Sequence, residues 1–353
     1  MTGLPKKLDK KLKERNAKNA LRQLPTVSDK ADFVSNDYLG MAGEEMIFHG
    51  AHKLLLNRGI IQNGSTGSRL LSGSSALYEE TEQRVAEYYK ADAALIFNSG
   101  YDANLGFFSS VPQRTDVVVF DEYIHASIRD GIRMGTAKSL KFKHNDLDDL
   151  AEILQRVGKD RDADTECYVV TEAVFSMDGD HPDLGRLMVL CKEHDCKLIL
   201  DEAHAIQGID NSIGNHSTKE YRDAVLFARI VTFGKAMGVQ GSAILGSTHL
   251  KSYLINFARS FIYTTALPPM SVASILTVFR SMETTEVKER KMRLKKNIMT
   301  FIHEANDLKL DTSFIPSSSA IHSCIVPGNT RVKKIATTIQ EKGYDVRPIL
   351  SPT

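Results

Sequence analysis

Two short apolar runs constrain this chain more than any other feature. Lys197-Leu198-Ile199-Leu200 stops at Asp201-Glu202-Ala203-His204, and Ala228-Arg229-Ile230-Val231-Thr232 stops at Phe233-Gly234-Lys235. Each run reads as a buried strand of an α/β sheet. Ligands of such sheets bind outside the carboxyl ends of the strands. An aspartate, a histidine and a lysine are therefore presented together at one rim.

The combination suits one kind of chemistry. A lysine among small residues can form a Schiff base with an aldehyde. A carboxylate beside a pyridine nitrogen keeps it protonated, as pyridoxal phosphate requires to act as an electron sink. On spacing alone, a strand-end aspartate followed by a lysine loop also serves ordinary structural roles. Asp-Glu-Ala-His spells a helicase box as well, but no Gly-x-x-x-x-Gly-Lys-[Ser/Thr] phosphate loop lies upstream.

Other strand ends point to the same rim. Ala93–Phe97 leads through Asn98-Ser99 into Gly100-Tyr101-Asp102-Ala103-Asn104, which opens a helix. A strand, a glycine turn and a helix N-terminus make an anion site, with Gly100 and Tyr101 as backbone donors. No Gly-x-Gly-x-x-Gly is present there, so a dinucleotide is not expected. Val117–Phe120 ends before His125, and Tyr168–Thr171 before Glu172-Ala173-Val174-Phe175-Ser176-Met177-Asp178-Gly179-Asp180. Asp146 is a candidate helix cap, and His144 reads as structural. Near the N-terminus a helix is expected over Lys6 to Leu24, followed by Ser35-Asn36-Asp37-Tyr38-Leu39-Gly40, a turn with hydrogen-bonding side chains. A Gly/Ser-rich loop spans Gly64 to Gly73. After Phe261-Ile262-Tyr263-Thr264-Thr265-Ala266-Leu267-Pro268-Pro269 the pattern changes to long helices, then a strand over Ile321 to Val326, a helix over Arg331 to Lys342 and a strand over Tyr344 to Arg347.

The bulk properties exclude several classes. At 353 residues, two domains are expected: an N-terminal helix and arm (1–45), a large domain (46–270) and a smaller C-terminal one (271–353). A net charge of +1 gives no electrostatic reason for nucleic acid or acidic membranes. No apolar run reaches membrane-spanning length. Four cysteines are too few for a disulfide scaffold and lack zinc spacing, so no metal and a reducing cytoplasm are expected.

The motifs together resemble the α-oxoamine synthases, pyridoxal phosphate enzymes of fold-type I. Asp201-Glu202-Ala203-His204, Thr232-Phe233-Gly234-Lys235, Ser35-Asn36-Asp37-Tyr38-Leu39-Gly40 and the Glu172–Asp180 run carry the resemblance, from about Arg22 to Thr353. The Thr-Phe-Gly-Lys form is closest to the 8-amino-7-oxononanoate synthases. The resemblance implies a large mostly parallel α/β sheet domain with a smaller α+β domain, and a homodimer with shared sites. It implies that Lys235 carries pyridoxal 5'-phosphate, Asp201 holds the pyridinium, His125 stacks on the ring, and His204 and Ser176 tune its oxygen. Thr232, Gly100 and Tyr101 would bind phosphate, and Thr264 would reach the neighbouring subunit's phosphate. Arg22, Asn36, Arg347 and Thr353 would face substrate. The implied substrates are L-alanine and a pimeloyl thioester, of coenzyme A or a carrier protein. Three relatives remain as alternatives: 2-amino-3-ketobutyrate ligase, serine palmitoyltransferase and 5-aminolevulinate synthase. An aminotransferase or other fold-type I lyase would share the Asp/Lys pair, and a non-catalytic partner subunit would keep only the fold. Family members continue past the Arg347–Thr353 segment to an Arg-Leu-Arg strand whose arginine grips the amino acid carboxylate; in this sequence that expected strand is absent.

Overall fold

The computed structural model describes residues 3–24, 29–162, 164–207, 209 and 225–351. Helix α1 (Lys6–Ala17) is followed by a short strand β1 (Ala31–Asp32), then α2 (Glu45–Asn57) and α3 (Ala76–Tyr89). The alternating part comes next: β2 (Ala93–Phe97), α4 (Gly100–Ser110), β3 (Val117–Asp121), α5 (Ala126–Met134), β4 (Lys138–Phe142), α6 (Leu147–Asp160), β5 (Cys167–Glu172), α7 (Leu184–Glu193), β6 (Lys197–Asp201), β7 (Leu226–Thr232) and β8 (Ser242–Gly246). Helices over Thr248–Phe257, Arg259–Ile262, Pro269–Ser281, Thr285–Asp307 and Asn329–Glu341 lead to β9 (Tyr344–Asp345).

Seven strands form one sheet in the order β2-β8-β7-β6-β5-β3-β4. β8 runs antiparallel to both its neighbours, and the remaining pairs are parallel. The central strands are apolar on both faces because helices cover both. Ile199, Val170 and Ile230 pack with Phe107 and Ile128 of α4 and α5. Their neighbours Leu198, Leu200 and Val169 turn the other way, onto Leu150, Leu154 and Leu187 of α6 and α7. A third cluster joins Ile96, Val231 and Leu245 to α2, α3 and the Pro269–Ser281 helix. Each such large apolar side chain contributes about 1.5–3 kcal/mol on burial.

The parallel order places the carboxyl ends of β3, β5, β6 and β7 side by side. β5 and β6 are in register so that Glu172 lies opposite Asp201. A small parallel pair, Ala31 with Tyr344 and Asp32 with Asp345, ties the N-terminal arm to the last strand.

Three local expectations are revised. α1 stops at Ala17, well before Pro25, because Asn19 takes a left-handed conformation (φ 50°) and Ala20 N–H bonds back to Arg15 O at 2.9 Å. Leu8 and Leu12, which with Leu21 read from sequence as a docking stripe, are exposed. The Ile321–Val326 segment forms only a single bridge, Phe314 to Cys324.

One glycine decides how the N-terminal turn meets the sheet. Gly238 has φ +66°, and a Cβ there would stand 2.3 Å from Ala42 N. The loop after β7 is thus pressed against the Asn36–Ala42 turn. Asp37 closes that turn, accepting from Met41 N–H at 2.7 Å and Ala42 N–H at 3.1 Å. Arg290, from the long Thr285–Asp307 helix, donates to Gly40 O at 2.8 Å and pairs with Glu44. Gly238→Ala is expected to destabilise the protein by about 1–3 kcal/mol, from left-handed strain and the backbone clash together. Urea unfolding of the two proteins measures it; an unchanged midpoint would refute the close approach.

Candidate active site

Asp201 ends β6 and is buried, so its carboxylate must be satisfied internally. Ala203 N–H donates to its Oδ1 at 2.9 Å, and Asn104 Nδ2 donates to its Oδ2 at 2.9 Å. Asn104 sits one helical turn past Gly100 on α4 and is itself buried. The same amide contacts Ser127 Oγ at 3.0 Å, and Ser127 Oγ lies 2.7 Å from His125 Nδ1. His125 is the N-cap of α5, its Nδ1 accepting from Ser127 N–H at 3.2 Å. Its backbone N–H donates to Glu172 Oε1 at 2.5 Å. Four elements, α4, α5, β5 and β6, therefore meet around one carboxylate.

Burial and the neighbouring Asp201 carboxylate raise Glu172 well above the usual carboxylate range. Two register-matched carboxyl groups in one dry place cannot both hold a charge cheaply.

Lys235 approaches from the loop after β7, where Phe233 N–H bonds Gly241 O at 2.9 Å and Gly238 N–H bonds Lys235 O at 2.9 Å. Its Nζ lies 2.6 Å from His204 Nε2. His204 Nδ1 in turn lies 2.8 Å from Tyr38 Oη, and Tyr38 donates to Asn36 Oδ1 at 3.1 Å. Burial lowers Lys235 from the ordinary lysine range, opposed by Asp201 and Glu172. Burial first, then the Lys235 charge, pushes His204 down to about 2, so its imidazole is neutral. A lysine with a lowered pKa at such a rim is a group suited to nucleophilic work.

At the amino end of α4, Ser99 caps the helix by accepting from Asp102 N–H at 3.1 Å. The N–H groups of Gly100 and Tyr101 are left without a hydrogen-bond partner among the described residues. A Cβ on Gly100 would stand 3.6 Å from Thr232 Oγ1, so the hydroxyl adjoins these donors. Thr264 Oγ1 accepts from Asn98 Nδ2 at 3.1 Å, just before the same helix start. Open N–H groups, a hydroxyl and the positive end of a helix dipole fit a phosphate. Together with the lysine amine and the buried carboxylate, the donor set fits pyridoxal phosphate.

The remaining candidates are more dispersed. Ser176 is half-buried and makes no hydrogen bond among the described residues. Tyr101 spends its hydroxyl on Asp130 Oδ2 at 2.7 Å, leaving its backbone for the ligand. Arg22 is exposed, and Arg347 pairs with Asp345 at 3.0 Å. Asn36 is exposed beside Tyr38, and Thr353 lies outside the described residues. The sequence assigns no site role to Asn104, Ser127 or Glu172; their signal is position near a helix start or at a strand end flanking the named residues.

Residues 28–353 match the aminotransferase class I and II family. The 8-amino-7-oxononanoate synthase of Chromohalobacter salexigens is 34% identical over 351 residues, covering 98% of this chain and 88% of that one. The chain belongs to this family, in its α-oxoamine synthase branch. A solved 8-amino-7-oxononanoate synthase from Francisella tularensis superposes with a TM-score of 0.72 at 28% identity, covering 90% of this chain and 88% of its own. A serine palmitoyltransferase from Sphingomonas wittichii superposes with a TM-score of 0.84 at 25% identity, covering 99% and 90%. The fold is that of a fold-type I pyridoxal phosphate transferase, and pyridoxal phosphate is the cofactor.

His144 has a structural role at the rim. It lies between Asp121 Oδ1 at 2.9 Å and Asp180 Oδ2 at 2.8 Å, stacked on Tyr123. Burial alone would lower it, but the two carboxylate hydrogen bonds raise it to about 10. The Glu172–Asp180 loop is thereby tied to the end of β3. A histidine raised from its ordinary value of about 6.5 stabilises the fold fully below that pH. Its contribution is lost as pH rises towards 10. The stability difference between wild type and His144→Gln should therefore be largest near pH 6 and shrink by pH 10, by chemical unfolding. A difference that is flat over this range would show that His144 is not held as a cation.

Proposed function

We propose that the protein condenses L-alanine with a pimeloyl thioester, releasing carbon dioxide and the thiol and giving 8-amino-7-oxononanoate. The observation that carries the reading is the Lys235 amine, 2.6 Å from a neutral His204, at a rim shared with Asp201. The named relatives support the same class: the enzyme is a pyridoxal phosphate-dependent acyltransferase.

When bound, pyridoxal phosphate supplies an aldehyde for covalent attachment and an electron sink for the substrate Cα. Gly100 and Tyr101 N–H with the Thr232 hydroxyl would hold its phosphate, and Thr264 of a second subunit would add to them. Asp201 would hold the proton on the ring nitrogen. His125 would cover the ring, while His204 and Ser176 would hydrogen-bond its oxygen. Lys235 Nζ would take the Cα proton; burial lowers it from the ordinary lysine range, which favours the neutral amine that a base needs. Asn36 faces the amino acid. A pimeloyl chain ends in a carboxylate, so its site needs a cation, and Arg22 and Arg347 are the candidates; Thr353 is a further candidate for the substrate from its motif alone. Among the described residues no helix is long and apolar enough to cross a membrane. The four free cysteines fit a reducing cytoplasm.

Borohydride reduction of the yellow holoprotein followed by peptide mapping should place the label on Lys235. A label on another lysine would remove the assignment.

A homodimer is expected on physical grounds. Ile61, Leu71 and Tyr263 are 83%, 84% and 72% exposed, an unusual outlay of large apolar groups. The Gly64–Gly73 loop is fixed to the segment after Tyr263 by Ala266 N–H to Gly67 O at 3.0 Å. Sedimentation at micromolar concentration should give a two-fold dimer; a fully cofactor-loaded monomer would contradict the shared site.

The substrate is decided by assay. L-Alanine should outrun glycine and serine, though one methyl group separates alanine from glycine by only about 1–3 kcal/mol, so cross-reaction is expected. Pimeloyl thioester should outrun acetyl, succinyl and palmitoyl in thiol release. A palmitoyl preference would move the protein to the serine palmitoyltransferase side of the family and leave the cofactor reading intact.

A further inference from the structure

We propose that Asn104 is a positioning residue that ties His125 to Asp201 through Ser127, so that one amide holds the two groups read as facing the cofactor ring. The inference rests on the pyridoxal phosphate reading of the site and adds a residue to it.

A side-chain amide has two hydrogens to give. Asn104 Nδ2 gives one to Asp201 Oδ2 at 2.9 Å and one to Ser127 Oγ at 3.0 Å. The Ser127 oxygen is thereby an acceptor, and its own hydroxyl hydrogen goes to His125 Nδ1 at 2.7 Å. The Ser127 backbone N–H donates to the same nitrogen at 3.2 Å. A backbone N–H can only donate, so Nδ1 carries no hydrogen, and the ring hydrogen is on Nε2. His125 is thus gripped twice at Nδ1. One grip is backbone; the other is directed by Asn104, which does not touch the ring.

Two further observations set this amide apart from ordinary packing. Asn104 is 3% exposed, and its Oδ1 is buried with no hydrogen-bond partner among the described residues. Folding alone gives no reason to leave a buried carbonyl unsatisfied. The amide is turned so that both of its hydrogens serve the site. Helices α4 and α5 also pack closely enough to bring Asn104 to Ser127. A Cβ on Gly131 of α5 would stand 2.8 Å from Asn104 O and 2.8 Å from Phe108 Cβ, so a side chain at 131 would part the two helices.

The test uses full-length apoprotein: wild type, Ser127→Ala, Asn104→Leu and the double variant. Leucine is close to asparagine in shape and offers no donor. Nitrogen-15 histidine NMR, with His125 assigned by the loss of its signals in His125→Gln, reads Nδ1 directly. Wild type should show a bare, hydrogen-bonded Nδ1 and a protonated Nε2. Asn104→Leu should move the Nδ1 signal towards that of an unbonded nitrogen. On the Ser127→Ala background the same substitution should move it no further. Titration with pyridoxal phosphate, followed by absorbance, should show affinity falling about tenfold in Asn104→Leu, the scale of one hydrogen bond, and less in Ser127→Ala. A protonated Nδ1 in wild type, or an Nδ1 signal that Ser127→Ala leaves in place, overturns the proposal whether or not Asn104→Leu folds. So does an effect of Asn104→Leu on Nδ1 that persists without Ser127, or wild-type affinity in both single variants. If wild type itself takes up no cofactor, the pyridoxal phosphate reading fails, and the NMR comparison still decides the link from Asn104 to His125.

Discussion

The structure depends on burying one carboxylate at the end of a central parallel strand. An isolated ionised carboxylate in a protein interior carries a penalty of several kcal/mol unless neighbours satisfy it. Asp201 is satisfied by a backbone N–H two residues on and by the side chain of Asn104 from another element. The rest of the rim is arranged around this solution. Glu172, opposite in register, is pushed towards its neutral form, and the loop that follows it is tied down through Asp180 and His144. Lys235 arrives from the next strand with a lowered pKa, and His204 stays neutral between it and Tyr38. Burial of Asp201, Glu172 and His204 strengthens the interactions they make.

Much of this was legible in the sequence, for a physical reason. A strand buried on both faces must be apolar throughout, so its end is marked by the first polar residue. Asp201, Lys235 and the Gly100 turn were all found that way, and the observed strands end at Asp201 and Thr232. Motif resemblance then singled out His125 and His204, which lie on turns where periodicity says nothing. The connecting residues were not legible. Asn104 looks like any polar residue on a helix, and only the packing of α4 against β6 turns its amide to Asp201. Glu172 was visible as a strand end, but its opposition to Asp201 is a matter of register, which no single strand carries.

The C-terminal part was harder to read because less of it is buried. Few residues beyond Ile298 are in the core, Ala336 and Ser319 among them. Without a buried face, alternation is weak, and the expected Ile321–Val326 strand reduces to one bridge. The helix over Asn329–Glu341 was recognisable because its pattern is amphipathic. The first helix shows the converse: its composition favours helix past Ala17, yet a left-handed asparagine ends it locally. Arg22 and Arg347, read from the sequence as facing substrate, fall in these less buried regions.

The tetrapeptide Asp-Glu-Ala-His faces two ways. Asp201 and His204 turn into the site, while Glu202 turns to Arg229 on β7, with Oε2 2.7 Å from Nε and 2.5 Å from Nη2. Both partners are largely buried, and Arg229 also donates to Tyr89 O at 3.0 Å. Glu202 N–H closes the same junction on Ile230 O at 2.8 Å. A buried pair of this kind adds little net stability over an apolar one, but losing one partner strands a charge and costs about 3–5 kcal/mol. The pair joins the end of β6, where Asp201 lies, to β7, whose following loop carries Lys235. The first and last residues of the motif thus face the site, while its second residue pairs with the neighbouring strand.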